Sequence, residues 1–392
     1  MRSDTTPLVI DYLSEEFQQD PWPLYAALRN EEPIHWSEKQ HCYFLSKNEH
    51  IKQILLDKEN FTVEHPFRTT RHLFGSTIID MDGKKHSEKR PIISNQFKPS
   101  AMQNGMIEAV KQIIKEVIDR IPSEKEVDFI NDVAIPIPMT IIMEAIGLPK
   151  EDAMWVYFKM RPIIIHLNNP KSHFQAALEA SDELYAYIEK IVAQNTSHGM
   201  INQFKIAVEK GQWSQEDMNR HIVLLLSAGS ETTACSIANI MTILLNKPPE
   251  MARAMRDVDY QKAVIKESLR WQPPLHTTTR ICKNDYMLDN VLIPKGKFII
   301  LLLASANRDE DVYENPEQWD PARKEKVNLS FSMGSHNCLG FNLAKLELEE
   351  TFSQLFDRFN DIKLIQKERP IIQGQTFRIP QKLKLTFSKR TN

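Results

Sequence analysis

Residues 331–340 of this chain read Phe331-Ser332-Met333-Gly334-Ser335-His336-Asn337-Cys338-Leu339-Gly340, and this stretch decides how the whole sequence is interpreted. The following residues, 341–357, contain no glycine or proline and predict a helix. A cysteine just before a helix faces backbone N–H groups and the positive end of the helix dipole, which favour the thiolate that binds metals. A lone buried cysteine is more often an inert apolar residue, so the spacing around Cys338 is what distinguishes the two roles.

The spacing Phe-x-x-Gly-x-His-x-Cys-x-Gly resembles the haem-binding signature of the cytochrome P450 family, and four further motifs earlier in the chain lie in that family's order. The resemblance implies a mainly α fold with a small β region, and a haem b cofactor (iron protoporphyrin IX) with the Cys338 thiolate as axial ligand. It places four further residues of the loop at the haem, namely Phe331, Gly334, His336 and Gly340. Gly334 then lets the loop turn beneath the macrocycle, and Gly340 lets the helix begin close to it. Ser332 and Met333 replace a stretch that often contains glycine in the family, so loop packing is expected to differ there.

Length and composition set limits on the class of protein. The chain has 392 residues, a formal charge of -3 and a pI near 6.5, which gives no sign of nucleic acid or an anionic membrane as partner. Four widely spaced cysteines argue against a disulfide framework or a structural zinc site. We find no signal segment or anchor helix, because the longest apolar runs, near 133–148 and 298–304, are too short or interrupted. The length alone would allow two or three domains or a single large α-rich enzyme domain. The resemblance implies one catalytic domain over residues 1–392 with no fused reductase, which we expect to be monomeric and cytoplasmic.

The second motif is Asp-x-x-x-His-x-x-x-Arg, which begins at Asp82 and contains His86 and Arg90. The histidine and arginine are four residues apart and would share one helix face. Composition alone favours a solvated basic helix. The resemblance implies instead that both side chains contact a haem propionate, a role it also gives to Arg280. Gly83 and Lys84 stand where prolines are common in the family, which leaves the start of this helix open.

A long helix is predicted from the acidic start at 214–217, since no proline follows until Pro248. About thirty residues at 1.5 Å each give roughly 45 Å, enough to cross the molecule. Near its middle lies Ala228-Gly229-Ser230-Glu231-Thr232-Thr233, where the glycine and a threonine bonded back to a carbonyl predict a local bend. The alternative is a small-residue packing site with a solvent-facing glutamate. The resemblance makes this the oxygen-activation motif, with Ala228 beside the haem, Glu231 as the acid and Thr232 as the alcohol that deliver protons.

Glu267 and Arg270 lie three residues apart on another predicted helix and can pair. A surface pair of this kind would contribute under about 1 kcal/mol. In the family the pair is buried and completed by another arginine, which we place at Arg323. We expect these three residues to be structural.

The substrate pocket is expected to include residues from several segments, namely Phe67, Leu225, Leu275, Thr277 and Phe377. The region 59–77 shows no periodicity and predicts a loop over the pocket. Residues around 158–174 would lie above it, as would the turn at 374–377. His276 is expected to be a polar pocket or surface histidine and not a metal ligand. These segments indicate a mostly apolar substrate with a polar handle, such as a fatty acid, terpenoid, steroid, cyclic peptide or other secondary metabolite.

The resemblance implies a monooxygenase that uses O2 and oxidises a small molecule, with electrons from a separate ferredoxin or flavodoxin. Four lysines, together with Arg90, are expected to form a positive face for that partner, namely Lys84, Lys85, Lys89 and Lys345. Two other functions stay open. A peroxide-driven peroxygenase has little use for the Glu231-Thr232 pair and would turn over fully with hydrogen peroxide alone. A non-catalytic haem sensor or ligand carrier would bind haem without oxidising any substrate.

Overall fold

A computed structural model of the chain describes residues 10–65, 69–169, 173–194, 198–324 and 327–390. Helices dominate, and the strands form small sheets, so the predicted mainly α fold with a small β region is confirmed. The helices are α1 (Glu15–Gln19), α2 (Trp22–Glu31), α3 (Asn48–Leu56), α4 (Thr69–Phe74), α5 (Gly83–Ser94), α6 (Pro99–Met102), α7 (Met106–Asp119), α8 (Pro136–Ile146), α9 (Ala153–Asn168), α10 (Phe174–Ala193), α11 (Gly199–Glu209), α12 (Gln215–Leu245), α13 (Pro248–Ala254), α14 (Val258–Trp271), α15 (Leu303–Ala306) and α16 (Phe341–Arg358).

The strands assemble mainly by pairing between distant segments of the chain. A five-stranded sheet has the order β1-β2-β8-β5-β3, a three-stranded sheet has the order β4-β12-β9, and β6-β7 and β10-β11 are separate pairs. The strands are β1 (Ile34–Ser37), β2 (Cys42–Leu45), β3 (Phe61–Thr62), β4 (Val127–Asp128), β5 (Thr277–Cys282), β6 (Tyr286–Leu288), β7 (Val291–Ile293), β8 (Phe298–Leu302), β9 (Phe359–Leu364), β10 (Ile372–Gln373), β11 (Ile379–Pro380) and β12 (Lys384–Lys389).

The long helix α12 is the central element of the core. Ser214 caps its first turn in a capping box with Asp217, as the acidic start predicts. Most of its 31 residues are buried, including every isoleucine and every leucine except Leu245. Among the residues that the structure describes, α12 alone has the length and hydropathy to cross a membrane. In its most apolar 18-residue stretch, 83% of the residues are buried inside the molecule. Burial of that kind is typical of the core helix of a globular protein.

The predicted loop over residues 59–77 is wrong in part. Phe61 pairs with Cys282 in the antiparallel β3–β5 ladder, and α4 follows at Thr69–Phe74. A two-residue strand and a helix of less than two turns carry no usable periodicity, and the strand depends on a partner more than 200 residues away. Local sequence therefore could not predict either element.

A buried ion-pair network joins α14 to the segment after α15. Arg270, which is 2% exposed, donates from Nε and Nη2 to the two Glu267 carboxylate oxygens at 2.8 and 2.7 Å. Arg323 Nε donates to Glu267 Oε1 at 3.3 Å, and the Asp320 N–H donates to the same oxygen at 2.9 Å. The structure thus brings the three predicted residues together in the interior, where a planar guanidinium can hold several acceptors at fixed angles.

The network continues into the cysteine loop through Asn307. Arg270 Nη1 donates to the Asn307 carbonyl at 2.7 Å. The Asn307 side chain accepts the Leu329 N–H at 2.6 Å and donates to the Ser330 hydroxyl at 2.9 Å. The start of the loop that ends at Cys338 is therefore fixed to a buried charge pair by two hydrogen bonds.

Replacing Glu267 with glutamine should destabilise the protein strongly. The amide keeps the shape but leaves Arg270 and Arg323 in the interior without a negative partner, and breaking a buried pair in this way costs about 3–5 kcal/mol. We expect a loss of about 3 kcal/mol in the free energy of unfolding, measured by denaturant titration. The matched control is Asp259→Asn, which breaks the exposed 3.9 Å pair with Lys262 on the same helix and should cost under about 0.5 kcal/mol. Equal losses for the two variants would contradict the structural role.

Candidate active site

The cysteine loop is held by its own backbone and by two aromatic rings. The Cys338 N–H donates to the Phe331 carbonyl at 2.9 Å, which closes the loop, and α16 begins three residues later. The rings of Phe331 and Phe341 meet edge to face with centroids 4.8 Å apart. The loop therefore presents the cysteine sulfur at the N-terminal end of a helix, as the sequence predicts.

The backbone conformation requires one glycine of the loop and shows that the departure from the family pattern has an energetic cost. Gly334 has φ +76°, and a Cβ there would clash with the Leu55 carbonyl oxygen, so only glycine fits. Ser332 has φ +57°, a left-handed conformation that costs a non-glycine residue roughly 1–2 kcal/mol. Gly340 has φ -84°, and apart from its own chain neighbours no atom of the described residues lies within 4 Å of the position that a Cβ would take, so packing against them does not require glycine there.

The Cys338 side chain is exposed by surface area although many protein atoms surround it, as expected for a group that lines an interior cleft. Burial has the largest effect and leaves the pKa of its thiol above the usual value, although a hydrogen bond from the Gly340 N–H and the positive charge of Arg90 lower it. Both opposing groups favour the thiolate, as the position before a helix predicts.

Two histidines and an aspartate meet beside the loop. The rings of His86 and His336 lie 4.3 Å apart, and His336 Nε2 is 2.8 Å from Asp82 Oδ1. Burial pushes the pKa of Asp82 upward, but hydrogen bonds from His336, the Thr62 hydroxyl and the Val63 N–H outweigh it and lower that pKa to about 2. Asp82 thus anchors His336 as a fixed negative charge.

Arg90 lies on the same helix as His86 and reaches the cysteine loop. Its Nη2 donates to the Asn337 carbonyl and to Asn337 Oδ1, both at 2.7 Å. Burial, followed by the positive charges of His336 and Arg90, lowers the pKa of His86 to about 4. The predicted basic helix is therefore not simply solvated, because its His86 and Arg90 face the cysteine loop.

These residues fit a haem. His86 Nε2 is buried and has no hydrogen-bond partner among the residues that the structure describes, and it lies beside Arg90 and His336. A buried unpaired donor within a cluster of basic groups suits an anionic propionate. Cys338 supplies the sulfur that a haem-thiolate centre needs. Arg280, the remaining predicted propionate contact, is buried, and its Nη1 donates to the Thr279 carbonyl at 2.8 Å.

The middle of α12 also faces an interior cleft. Ala228 is exposed in the centre of an otherwise buried helix, and Gly229 and Thr232 are half-buried. Thr232 Oγ1 donates to the Ala228 carbonyl at 3.2 Å, the back-bond that the sequence predicts. A Cβ on Gly229 would lie 2.8 Å from the Ile142 side chain of α8, so this glycine also permits close helix packing.

Glu231 points into the protein, which excludes the alternative of a solvent-facing glutamate. It is 8% exposed, its Oε1 is 3.9 Å from the Cys235 sulfur, and its Oε2 has no partner among the described residues. Burial raises the pKa of Glu231 to about 7, against the opposing effects of Arg161 and Cys235. A carboxyl group with this pKa can both accept and release a proton near neutral pH.

The structure brings some of the predicted pocket residues together. Leu275 forms an isolated antiparallel bridge with Phe377, and the Phe377 N–H donates to Asn168 Oδ1 of α9 at 2.8 Å. Leu225 is buried on α12 one turn before Ala228. Thr277 is half-buried, and its hydroxyl lies 3.3 Å from the Tyr12 hydroxyl. Phe67 lies outside the described residues.

His276 is neither a pocket nor a surface histidine, so that prediction is wrong. It is 1% exposed and lies between Trp22 and Tyr25, with Nδ1 at 3.3 Å from the Tyr25 hydroxyl. Burial holds the pKa of His276 well below its usual value. His276 directly precedes β5 and packs against two aromatic residues of α2, and these partners, about 250 positions away, are not readable from local sequence.

Several residues that shape the site are not predicted by the sequence. Asp82 stands inside a motif, but its bond to His336 crosses 254 positions. Asn337 is the hydrogen-bond acceptor of Arg90. Arg161 and Tyr157 approach Glu231 from α9, and the local sequence shows Arg161 merely as one of two cations, with Lys159, just before Pro162.

The geometry is that of a haem-thiolate monooxygenase. The chain belongs to the cytochrome P450 family, because residues 31–387 match the model of that family, described as Cytochrome P450. It is a cytochrome P450 monooxygenase, and its cofactor is a haem b with a cysteine thiolate axial ligand.

Relatives cover nearly the whole chain. A putative cytochrome P450 YjiB of Bacillus subtilis is 27% identical over 92% of this chain and 93% of its own length. A biotin biosynthesis cytochrome P450 of the same bacterium is 26% identical over 95% of this chain and 98% of its length. Among solved structures, CYP109E1 from Bacillus megaterium in complex with testosterone is 26% identical and has a TM-score of 0.86, covering 95% of this chain and 99% of that one.

The raised pKa of Glu231 predicts a pH-dependent stability. Between pH 4.5 and about 7 the unfolded state loses this proton and the folded state keeps it, so stability falls as pH rises. The loss amounts to about 3 kcal/mol at most. Glu231→Gln removes the titrating group, so its stability should exceed that of the native protein by more at about pH 8 than at about pH 5, measured by denaturant titration.

The matched control is Glu216→Gln on the first turn of the same helix. Glu216 is exposed and pairs with Arg220, and no such pH-dependent difference is expected there. If Glu231→Gln and the native protein differ by the same amount at both pH values, Glu231 is ionised throughout and the assignment is wrong.

Proposed function

We propose that Cys338 is the axial thiolate and that His86, Arg90, Arg280 and His336 hold the haem propionates. The observation that carries the proposal is the meeting of the Cys338 loop with the basic cluster in which His86 Nε2 is buried and unpaired among the described residues. A haem held this way supplies O2 activation, favoured by electron donation from the thiolate. Phe331, Gly334 and Gly340 shape the loop, and Glu267, Arg270 and Arg323 support it from behind.

Two residues of α12 carry out proton transfer in this proposal. Glu231 holds a proton on its buried carboxyl, and its pKa of about 7 allows it to be reloaded at neutral pH. The Thr232 hydroxyl, one position further along and half-buried, can pass a proton toward the cleft that Ala228 lines. Apolar residues from three segments exclude water from the substrate position, namely Leu225, Leu275 and Phe377.

Replacing Cys338 with serine tests the axial ligand. A serine hydroxyl does not supply a thiolate, so the reduced protein treated with carbon monoxide should lose the red-shifted absorption band of sulfur ligation entirely. Cys282→Ser is the control, because the Cys282 thiol is buried elsewhere and donates to the Asn284 carbonyl at 2.8 Å, a bond that a hydroxyl preserves. A thiolate band that survives in Cys338→Ser would overturn the proposal.

The substrate that we propose is a mostly apolar small molecule oxidised with one atom of O2. The apolar character of Leu225, Leu275 and Phe377 supports this class, and one relative of similar length binds testosterone. We propose that electrons come from a separate ferredoxin or flavodoxin, and that residues 1–392 act as a single catalytic domain, monomeric and cytoplasmic.

The partner surface that we propose contains fewer of the lysines than the sequence predicts. Helix α5 lies beside the cysteine loop through Arg90, and both Lys84 and Lys85 are exposed on it. Lys89 instead pairs with Asp217, which forms the capping box of α12 with Ser214, so Lys89 stabilises the fold. Lys345 is exposed near the start of α16 and lies 3.7 Å from Glu349.

The double variant Lys84→Gln/Lys85→Gln should weaken association with an acidic ferredoxin. Loss of two exposed charges should raise the KM for the ferredoxin about threefold to tenfold at low salt, and the difference should disappear at high salt. The control is Lys39→Gln/Lys262→Gln, which also removes two positive charges. Lys39 lies in the β1–β2 turn and Lys262 on α14, and this variant should leave the KM for ferredoxin unchanged. If the KM of the α5 variant is unchanged at low salt, the redox partner does not bind at Lys84 and Lys85.

A further inference from the structure

Helix α9 presents one face to the pocket. Asn168 at its C-terminal end accepts the N–H groups of Thr376 and Phe377 at 3.2 and 2.8 Å, which seats this face on the turn that lines the substrate position. Arg161 lies seven residues earlier, two turns away on the same face. At the other side, Tyr157 and Arg161 are close enough to Glu231 of α12 to interact electrostatically. Arg161 therefore lies between the centre of α12 and the Phe377 turn.

The surroundings of Arg161 are apolar and accessible. The Arg161 side chain is exposed, and so are Phe158 and Ile165, three residues before it and four after it. By contrast, Lys159 on the opposite side of α9 pairs with Glu183 of α10. A cation between two accessible apolar side chains matches a ligand with a charged end and an apolar body.

Arg161 makes no ion pair within 4 Å with any carboxylate of the described residues. The groups that interact with it are the Tyr157 hydroxyl, which is neutral, and Glu231, whose pKa is raised by burial to about 7. Other arginines with a structural role are paired, as Arg29 is with Glu310 and Arg270 with Glu267. The guanidinium of Arg161 is thus available to an external anion.

We propose that Arg161 binds a carboxylate of the substrate, so that this enzyme oxidises an amphipathic carboxylic acid. The inference rests on the proposed function and specifies its substrate class. A guanidinium can hold a carboxylate by two parallel hydrogen bonds, which fixes the acid end near α9. The apolar body then extends past Phe158 and Ile165 toward Leu225 and Phe377.

The test compares acids with their neutral esters in equilibrium binding to the haem-loaded protein. The probes are tetradecanoic acid and a steroid carboxylic acid, each with its methyl ester, titrated by the change in haem absorption and by calorimetry. A hydrogen-bonded charge pair gives the native protein about tenfold to a hundredfold tighter binding of at least one acid than of its ester. Arg161→Gln should abolish that preference, and Arg161→Lys should keep part of it, because the charge remains without the planar fork.

Lys159→Gln is the matched control on the same helix and should keep the full acid preference. Calorimetry measures binding of the acids and esters without depending on a thiolate ligand. Its result can therefore fail or succeed independently of the Cys338→Ser test. Equal affinity of native protein for acid and ester, or failure of both acids to bind, overturns the proposal. So does an acid preference that survives in Arg161→Gln. If Arg161→Gln changes turnover but not the acid preference, the residue acts on Glu231 and not on the substrate.

Discussion

The buried pair between Glu267 and Arg270 is the contact on which the geometry of the site depends. Its arginine fixes the Asn307 carbonyl, and the Asn307 side chain in turn fixes the backbone at Leu329 and the hydroxyl of Ser330. The cysteine loop therefore starts from a rigid point set by charge in the interior. A loop that carries a metal ligand needs such support, because small displacements of the sulfur change the ligand geometry.

Electrostatics divides the site into two regions with different tasks. Around Cys338 the basic groups Arg90, His86 and His336 gather with one anchoring carboxylate, Asp82, so the region is suited to a thiolate and to anionic propionates. On the other side, burial dominates at Glu231 and keeps its proton exchangeable at a pH of about 7. Removal from water raises the pKa of both Glu231 and Cys338, and at the sulfur the Gly340 N–H and the charge of Arg90 oppose this effect.

Arg161 lies between α12 and the Phe377 turn. It lies close to Glu231 and shares a helix face with Asn168, which holds the Phe377 turn. A substrate anion bound there would reach the same guanidinium that influences the pKa of Glu231. Substrate occupancy and proton delivery would then be coupled through one side chain, without a larger conformational change.

The sequence by itself determined the elements whose information is local. The cysteine loop is contiguous and is identified by its resemblance to a family signature. The capping box of α12 and the helix that carries His86 and Arg90 are also contiguous patterns, and for them spacing and helix geometry suffice. Only the tertiary structure decided the inward direction of Glu231, the burial of His276 and the Asp82–His336 contact across 254 positions. It also decided that Lys89 serves the fold, through its pair with Asp217. These outcomes depend on partners from distant segments and on desolvation, and neither is encoded in the neighbouring residues.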